Sequence, residues 1–343
     1  MRHRTALVGL VALVALGSIA VAQDHRAADE HPASDRRGRD LSDDMPAVPL
    51  RVHEWGVWQL ETNGRLSSRT TVAAEAPAFV HRAPAALPSL EELTPTALPP
   101  GLSGNETFDK PVVFLYADTA LDVSVTVRVP RGRPWLYFPD AVLGRVRGAP
   151  SLRWTGQVLP IGVAVTGAAL PDVPAAAVPV GSAAQARAPW WNALRAVNAS
   201  PFVPTGSTSY EKFLYYDGEA PFPAGFRVRG NVVRPIAGRV EPVAWQLDGP
   251  HWTRLDVRGS QMTATDIGNM VALIVELEAQ LHRAGLTQAE SDALLHTWGR
   301  ALFTGPRRII WLMPRAAYDA MLPIAIQPEP LELVRVGLVI QRY

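Results

Sequence analysis

Lys110-Pro111-Val112-Val113-Phe114-Leu115-Tyr116 and, five residues later, Asp122-Val123-Ser124-Val125-Thr126-Val127-Arg128-Val129 decide the fold class of this chain. The first run is apolar almost without interruption, the pattern of a strand covered on both faces. The second alternates without a fault. Val123, Val125, Val127 and Val129 share one face and Asp122, Ser124, Thr126 and Arg128 the other, as in a half-buried strand. Asp118-Thr119 reads as a hairpin tip joining the two, and Pro130 ends the second.

Working outward, the same signals recur. Leu50-Arg51-Val52 leads into His53-Glu54-Trp55-Gly56-Val57-Trp58-Gln59-Leu60, a strand pattern followed by an Asn63-Gly64 turn. A Pro-rich loop occupies 83–101. Trp135–Phe138, Leu152–Trp154, Lys212–Tyr216, Phe226–Arg229, Val232–Arg234, Val240–Leu247 and Trp252–Val257 continue as short strands. Between them, Val158–Pro189 is Ala/Pro/Val-rich and weakly patterned. The period then changes. Asp266–Arg283 carries Ile267, Met270, Val271, Ile274, Leu277 and Leu281 at helical spacing, and Gly285 stops it. Thr287 with Glu290 forms a capping box opening a second helix to about Ala301. Strands return at Arg308–Met313 and Leu333–Ile340, where Val334, Val336, Leu338 and Ile340 share a face. The expected fold is mainly β (α+β): an antiparallel, sandwich-like body with a C-terminal αα-hairpin followed by returning strands.

The N-terminus gives an address. Arg2 and Arg4 precede an apolar run from Ala6 to Val21, and Ala20-Val21-Ala22 is a small-x-small cleavage site. Residues 1–22 read as an export signal, 23–47 as a disordered polar tether, 48–260 as a β-rich region, and 261–343 as helical hairpin plus terminal strands packed on the same body. No membrane span is expected once the signal is removed. The 343-residue chain carries formal charge +1, and loss of Arg2 and Arg4 would leave −1. That balance gives no electrostatic reason for a nucleic-acid partner. The absence of cysteine excludes disulfides, thiolate metal sites, a cysteine nucleophile and a lipoprotein anchor.

Several clusters could carry chemistry. His53 and Glu54 are the densest, but neighbours in a strand point to opposite faces, so they do not readily form one site. The structural alternative packs His53 and Trp55 in the core and pairs Glu54 with an arginine. Of 33 basic residues only Lys110 and Lys212 are lysine, both before an apolar-aromatic strand. A compact ammonium is not interchangeable with a guanidinium. Trp190 and Trp191, with Tyr216, are candidates for stacking on a ligand, or else they tack the Ala/Pro-rich stretch onto the body. Glu54, Asp140, Glu211 and Asp217 border aromatics and are the carboxylates a glycosidase reading would need. No His-Glu-x-x-His, Gly-x-Ser-x-Gly, P-loop or dinucleotide fingerprint occurs, and neither a metal nor a cofactor is expected.

Val52-His53-Glu54-Trp55-Gly56, Lys110–Tyr116, Tyr210–Tyr216 and Leu333-Val334-Arg335-Val336, in that order, resemble a family of exported bacterial proteins that open on an HEWG-type motif. That family has no known activity. The likeness runs from about residue 51 to the C-terminus. Thr-Phe follows the opening glycine in the family, where this chain has Val57-Trp58. The resemblance implies export and a β-rich fold and carries over no catalytic residue. The expected function is a soluble exported binding or interaction protein of the cell envelope, with a glycan or an envelope protein as possible partner. One alternative is a hydrolase of an envelope or extracellular polymer, with His53 or Glu54 as acid/base and Lys110 or Lys212 orienting substrate. Another is a structural envelope component.

Overall fold

The computed structural model describes residues 49–60, 76–84, 102–173, 189–230, 232–248, 251–304 and 307–343. The expected export signal, the polar tether, the Asn63-Gly64 turn and most of the Pro-rich loop lie outside the described residues, as does the Lys110 side chain.

The chain opens with β1 (Leu50–Leu60), β2 (His81–Arg82), β3 (Leu102–Ala117), β4 (Leu121–Arg128) and β5 (Arg133–Phe138). Next come β6 (Val142–Val146), β7 (Ala149–Val158), the short helix α1 (Pro189–Arg195), β8 (Phe202–Pro204) and β9 (Phe213–Pro223). Five strands follow: β10 (Phe226–Arg229) and β11 (Val232–Pro235), which form a two-stranded sheet of their own, then the meander β12 (Val243–Asp248), β13 (His251–Arg258) and β14 (Gln261–Gly268). The C-terminal part holds α2 (Met270–Arg283), α3 (Gln288–Phe303), β15 (Arg308–Met313), α4 (Arg315–Met321), β16 (Ile324–Gln327) and β17 (Glu332–Arg342).

Ten strands form one sheet in the order β14-β13-β12-β15-β17-β1-β3-β9-β5-β2, and a smaller sheet runs β16-β4-β7-β6 with β8 alongside β7. The architecture is mainly β and sandwich-like, as the sequence predicts. One face of the large sheet presents Trp55, Val57, Val112, Phe114 and Phe213 to the core that α1, α2 and α3 complete. The other presents Val52, Trp58, Val113, Leu115 and Leu214 to the small sheet and α4. Helices α1, α2 and α3 therefore lie on one side, and a second sheet with α4 on the other. The central strands are buried on both faces, which is why β1, β3 and β9 read as nearly unbroken apolar runs. β17 returns between β15 and β1 and pairs with β1 in parallel, Val334 beside His53 and Arg335 beside Glu54. β12–β15 and β17 thus belong to the sheet that β1 begins.

Three expectations are corrected. First, β3 and β4 do not pair as a hairpin: β3 bonds β1 and β9, while β4 bonds β7 and β16. The difference in pattern gives the reason. A strand apolar on both faces belongs at the middle of the molecule, a strand apolar on one face in an outer layer, and Asp118–Ala120 carry the chain across. Second, the first long helix starts at Met270, capped by the Asn269 side chain on the Ala272 amide. Residues 261–268, β14, form an edge strand that its polar composition hid. Third, the helix buries Leu273, Leu277 and Leu281, while Met270 and Val271 are exposed and Ile267 belongs to the strand. Its end is as expected: Gly285 adopts φ +102°, and a Cβ there would meet Val334 Cγ2 at 2.9 Å. Helix α4 and strand β16 are additional to the sequence reading. Among the described residues no helix is long and apolar enough to cross a membrane.

Candidate functional site

Strand β1 places His53 on the helix side and Glu54 on the sheet side, so each becomes the centre of a separate buried network. Gly56 sits where β1 meets a bulge in β3, and a Cβ there would press on Pro111 Cγ at 3.1 Å.

On the sheet side, Glu54 is fully buried and accepts three hydrogen bonds. Tyr216 and Tyr318 donate to Oε1, the latter at 3.1 Å, and Arg335 Nε donates to Oε2 at 2.5 Å. The rest of the guanidinium is also satisfied. Nη1 reaches Asp319 at 2.7 Å, Nη2 reaches the Leu322 carbonyl at 2.7 Å, and the plane lies 4.2 Å from the Tyr318 ring centroid. Burial pushes both phenols well above their ordinary range, and the Glu54 charge adds to it. Burial would depress the Arg335 guanidinium, but the Glu54 carboxylate together with the Tyr318 and Tyr216 phenols outweighs it and holds the group firmly protonated. This ion pair is the arginine partner that the structural reading of Glu54 requires. It offers no open valence to a ligand.

On the helix side, α3 begins at the capping box, and its carboxylate does more than cap. Glu290 accepts from the Thr287 amide at 2.8 Å and from the Thr287 hydroxyl at 2.9 Å. It also accepts from Tyr116 at 2.7 Å and faces His53 Nδ1 at 3.0 Å. Burial alone would raise the Glu290 carboxyl. The hydrogen bonds from His53, the Thr287 amide and the Tyr116 hydroxyl prevail and hold it below its ordinary value. Tyr116 moves far upward, through burial first and the Glu290 charge second. An ionised carboxylate only accepts, so His53 Nδ1 is the donor and carries a proton. The other ring nitrogen, Nε2, has no hydrogen-bond partner among the described residues, although His53 is only 6% exposed. The nearest charged atom is Glu332 Oε2 at 3.7 Å, on a half-exposed side chain.

The remaining candidates separate from both networks. Trp190 and Trp191 are buried, stacked edge-to-face at 5.0 Å, with Trp191 packed on Phe213 and Tyr215. Their faces are spent on holding α1 to the sheet and present nothing to a sugar ring. Tyr216 is equally enclosed, bonded to Glu54 and packed near Trp154. Lys212 donates through Nζ to the Arg195 carbonyl at the end of α1, where a cation complements the helix terminus. Glu211 binds the Trp191 indole and Arg195 from the same corner. Asp140 is exposed and meets His81 at 3.0 Å, whereas Asp217 is buried and bonds Tyr215 and the Gly218 amide. These carboxylates are dispersed. His53, Glu54 and Lys212 do not line one cleft.

Sequence reasoning missed Tyr116, Glu290, Glu332, Tyr318 and Arg335 as site residues. Two signals were available: a capping-box carboxylate can turn inward, and an arginine inside an apolar strand must find a buried partner. Val52–Gly56, Lys110–Tyr116, Phe213–Tyr216 and Leu333–Val336 fall on β1, β3, β9 and β17, neighbours in the order β17-β1-β3-β9.

A half-open cleft of about 360 Å³ lies where β12, β15 and β17 meet the last turn of α2. Val243, Leu312 and Val334 line it with apolar surface, and Glu241, Arg283 and Arg315 supply charge. Arg315 is committed to Asp319 and the Leu333 carbonyl. Arg283 is exposed and makes no ion pair among the described residues; its Nε bonds Gln280 at 3.3 Å. No family model matches the chain, and neither does any curated protein or solved structure.

Proposed function

We propose that the chain is an exported binding protein of the cell envelope, and that its ligand is a small amphipathic molecule held in the cleft between α2 and β17. The observation that carries this reading is the contrast inside the cleft: an apolar lining beside the Arg283 guanidinium, which makes no ion pair among the described residues. Pockets of roughly 300 Å³ upward with a few polar groups suit small molecules, and a guanidinium selects an anionic head group. A hydrolase using His53 and Glu54 together has no support, since the sheet separates them. The glycan-stacking variant loses its aromatics to the core.

The test is thermal unfolding of the purified chain with decanoate, decyltrimethylammonium and a chitooligosaccharide, run beside Val243→Trp and Arg283→Glu. Decanoate should raise the melting temperature. At about 100 times its dissociation constant it would add roughly 2.7 kcal/mol. Val243→Trp should abolish the rise by filling the cleft, and Arg283→Glu should weaken it. No rise with decanoate, or a rise that survives both substitutions, overturns the cleft as the site. Export is tested separately by expressing the full chain in a bacterial host. Periplasmic or extracellular material beginning at Gln23 supports the signal at 1–22, and an uncleaved cytosolic product rejects it.

A further inference from the structure

The structure assigns to His53 Nε2 and the Glu332 carboxylate an open binding site for a divalent transition-metal ion, with Glu290 as the group that orients the imidazole. This goes beyond the amphiphile cleft and does not depend on it.

Four observations converge. His53 is more than nine-tenths buried, yet its Nε2 has no hydrogen-bond partner among the described residues. A buried ring nitrogen left without a partner costs free energy, so the ring is held in this pose by something other than its own satisfaction. The holder is Glu290, whose carboxylate takes Nδ1–H and is itself fixed by Tyr116, Thr287 Oγ1 and the Thr287 amide. In the neutral imidazole with its proton on Nδ1, the form that binds a metal, the lone pair is on Nε2. Metal-ligating histidines are oriented in this way, by a carboxylate on the ring nitrogen that does not bind the ion.

The second group is at the right place. Val334 is the β17 register partner of His53, and Glu332 lies two residues earlier, so its side chain points to the same face of the sheet as His53. The separation of His53 Nε2 from Glu332 Oε2 is 3.7 Å. That is too long for a hydrogen bond. Two ligands at about 2.1 Å from one ion stand roughly 3.4 Å apart at a tetrahedral angle and about 3.6 Å at 120°. The observed gap is close to that of two atoms sharing an ion.

Charge agrees. Glu290 and Glu332 contribute two negative charges. Arg51, the register partner of both Glu332 and Tyr116, contributes one positive charge from an exposed position. The local sum is −1, which favours a cation. One imidazole and one carboxylate select zinc, cobalt or copper over magnesium or calcium, which prefer all-oxygen shells. Glu332 is half exposed, so water or a ligand donor completes the coordination. No cluster of three metal-binding side chains occurs among the described residues. The site is accordingly open and of modest affinity, not a closed structural centre.

The experiment is titration of the purified chain with Zn²⁺ by calorimetry and with Co²⁺ and Cu²⁺ by absorption and pulsed EPR. His53→Ala, Glu332→Gln and Glu290→Gln are run alongside. One equivalent should bind, with a single imidazole nitrogen coupled to Cu²⁺. Glu332→Gln, at an exposed position that leaves the fold intact, should weaken binding at least tenfold, and His53→Ala should remove the imidazole coupling. Glu290→Gln should weaken binding about 10- to 100-fold while the coupling persists, the signature of a positioning residue. No binding, or binding and coupling unchanged in both Glu332→Gln and His53→Ala, overturns the assignment. The second outcome would place the ion on another histidine.

Discussion

His53 and Glu54 share a peptide bond and a strand, and the two faces of β1 treat them differently. Toward the small sheet, Glu54 meets two phenols and a guanidinium, and Arg335 in turn meets Asp319 and a carbonyl. Toward the helices, Glu290 is saturated by four groups, but the chain of bonds stops at His53 with one ring nitrogen unused. Each network buries a carboxylate against β1, Glu54 on the strand itself and Glu290 from the first turn of α3. A closed network of this kind pins β1, β9, β17 and α4 in register, which is a structural task. An unfinished one, at the end of the strands and beside a half-exposed glutamate, keeps a valence for something outside the chain. Burial alone does not separate site from scaffold here; satisfaction does.

The largest expected effect attacks the closed side. Arg335→Ala leaves Glu54 buried without its counter-charge, and such a loss costs about 3–5 kcal/mol. Urea unfolding of Arg335→Ala against the parent chain measures it. An apolar pair, Glu54→Leu with Arg335→Met, should recover much of the loss, because the two groups owe part of their cost to each other's presence. A loss under 1 kcal/mol in Arg335→Ala would mean that the sheet-side network is not a stabilising unit.

The next effect is pH-dependent and belongs to the same face. Tyr216 and Tyr318 have folded-state pKa values raised well above 10.0, by burial first and then by the Glu54 charge. The fold therefore keeps protons that the unfolded chain releases. Their contribution is complete below about pH 10 and is lost as pH rises through that value toward the folded ones. The loss approaches roughly 1.4 kcal/mol per pH unit for each phenol. Absorbance of ionised tyrosine and far-UV circular dichroism should change together for these two residues, since they ionise only on unfolding. In a Tyr216→Phe, Tyr318→Phe chain the alkaline slope should flatten. An unchanged slope would assign the alkaline transition elsewhere, first to Tyr116, which burial and the Glu290 charge also raise; Arg308, lowered to about 10 by burial and by Arg342, has the opposite sign and would add stability as pH rises.

This asymmetry also explains what could be read in the sequence. Strand β1, the alternation of β4, the stop at Gly285 and the Thr287–Glu290 capping box were legible because each is a local pattern with a local cause. Opposite faces for His53 and Glu54 followed from strand geometry alone. The partners did not, because Glu290 is 237 residues from His53 and Arg335 is 281 from Glu54. No periodicity encodes such a pairing. The β3–β4 hairpin failed for a related reason: strand pattern says how many faces are covered, not which strand is the neighbour. Trp190 and Trp191 were ambiguous because a tryptophan pair reads alike whether it faces a sugar or Phe213. The edge strand β14, exposed on most of its length, carries too little apolar signal to be seen beside the helix that follows it.

The open side should yield less readily. Glu290→Gln keeps an acceptor for the Thr287 amide but loses the charge that binds His53, so a cost of about 1–2 kcal/mol is expected from urea unfolding. That is clearly below Arg335→Ala. Equal losses would mean that the helix-side network is as structural as its counterpart, and the distinction between the two faces would fall.

The smallest effect is the sharpest discriminator. Glu332 is half exposed and, at 3.7 Å from His53 Nε2, makes no hydrogen bond to it. Without metal, Glu332→Gln should therefore change stability by no more than about 0.5 kcal/mol. If the glutamate were instead finishing the His53 network, as Asp319 finishes that of Arg335, the substitution would cost as much as losing a buried charged partner. Melting temperatures in chelator and in Zn²⁺ separate the cases. A chain whose chelator value is unchanged by Glu332→Gln, but whose zinc-dependent rise is diminished, has an unfinished network with a use. A chelator value that falls by several degrees has a network closed by Glu332, and the two faces of β1 would then differ only in their residues.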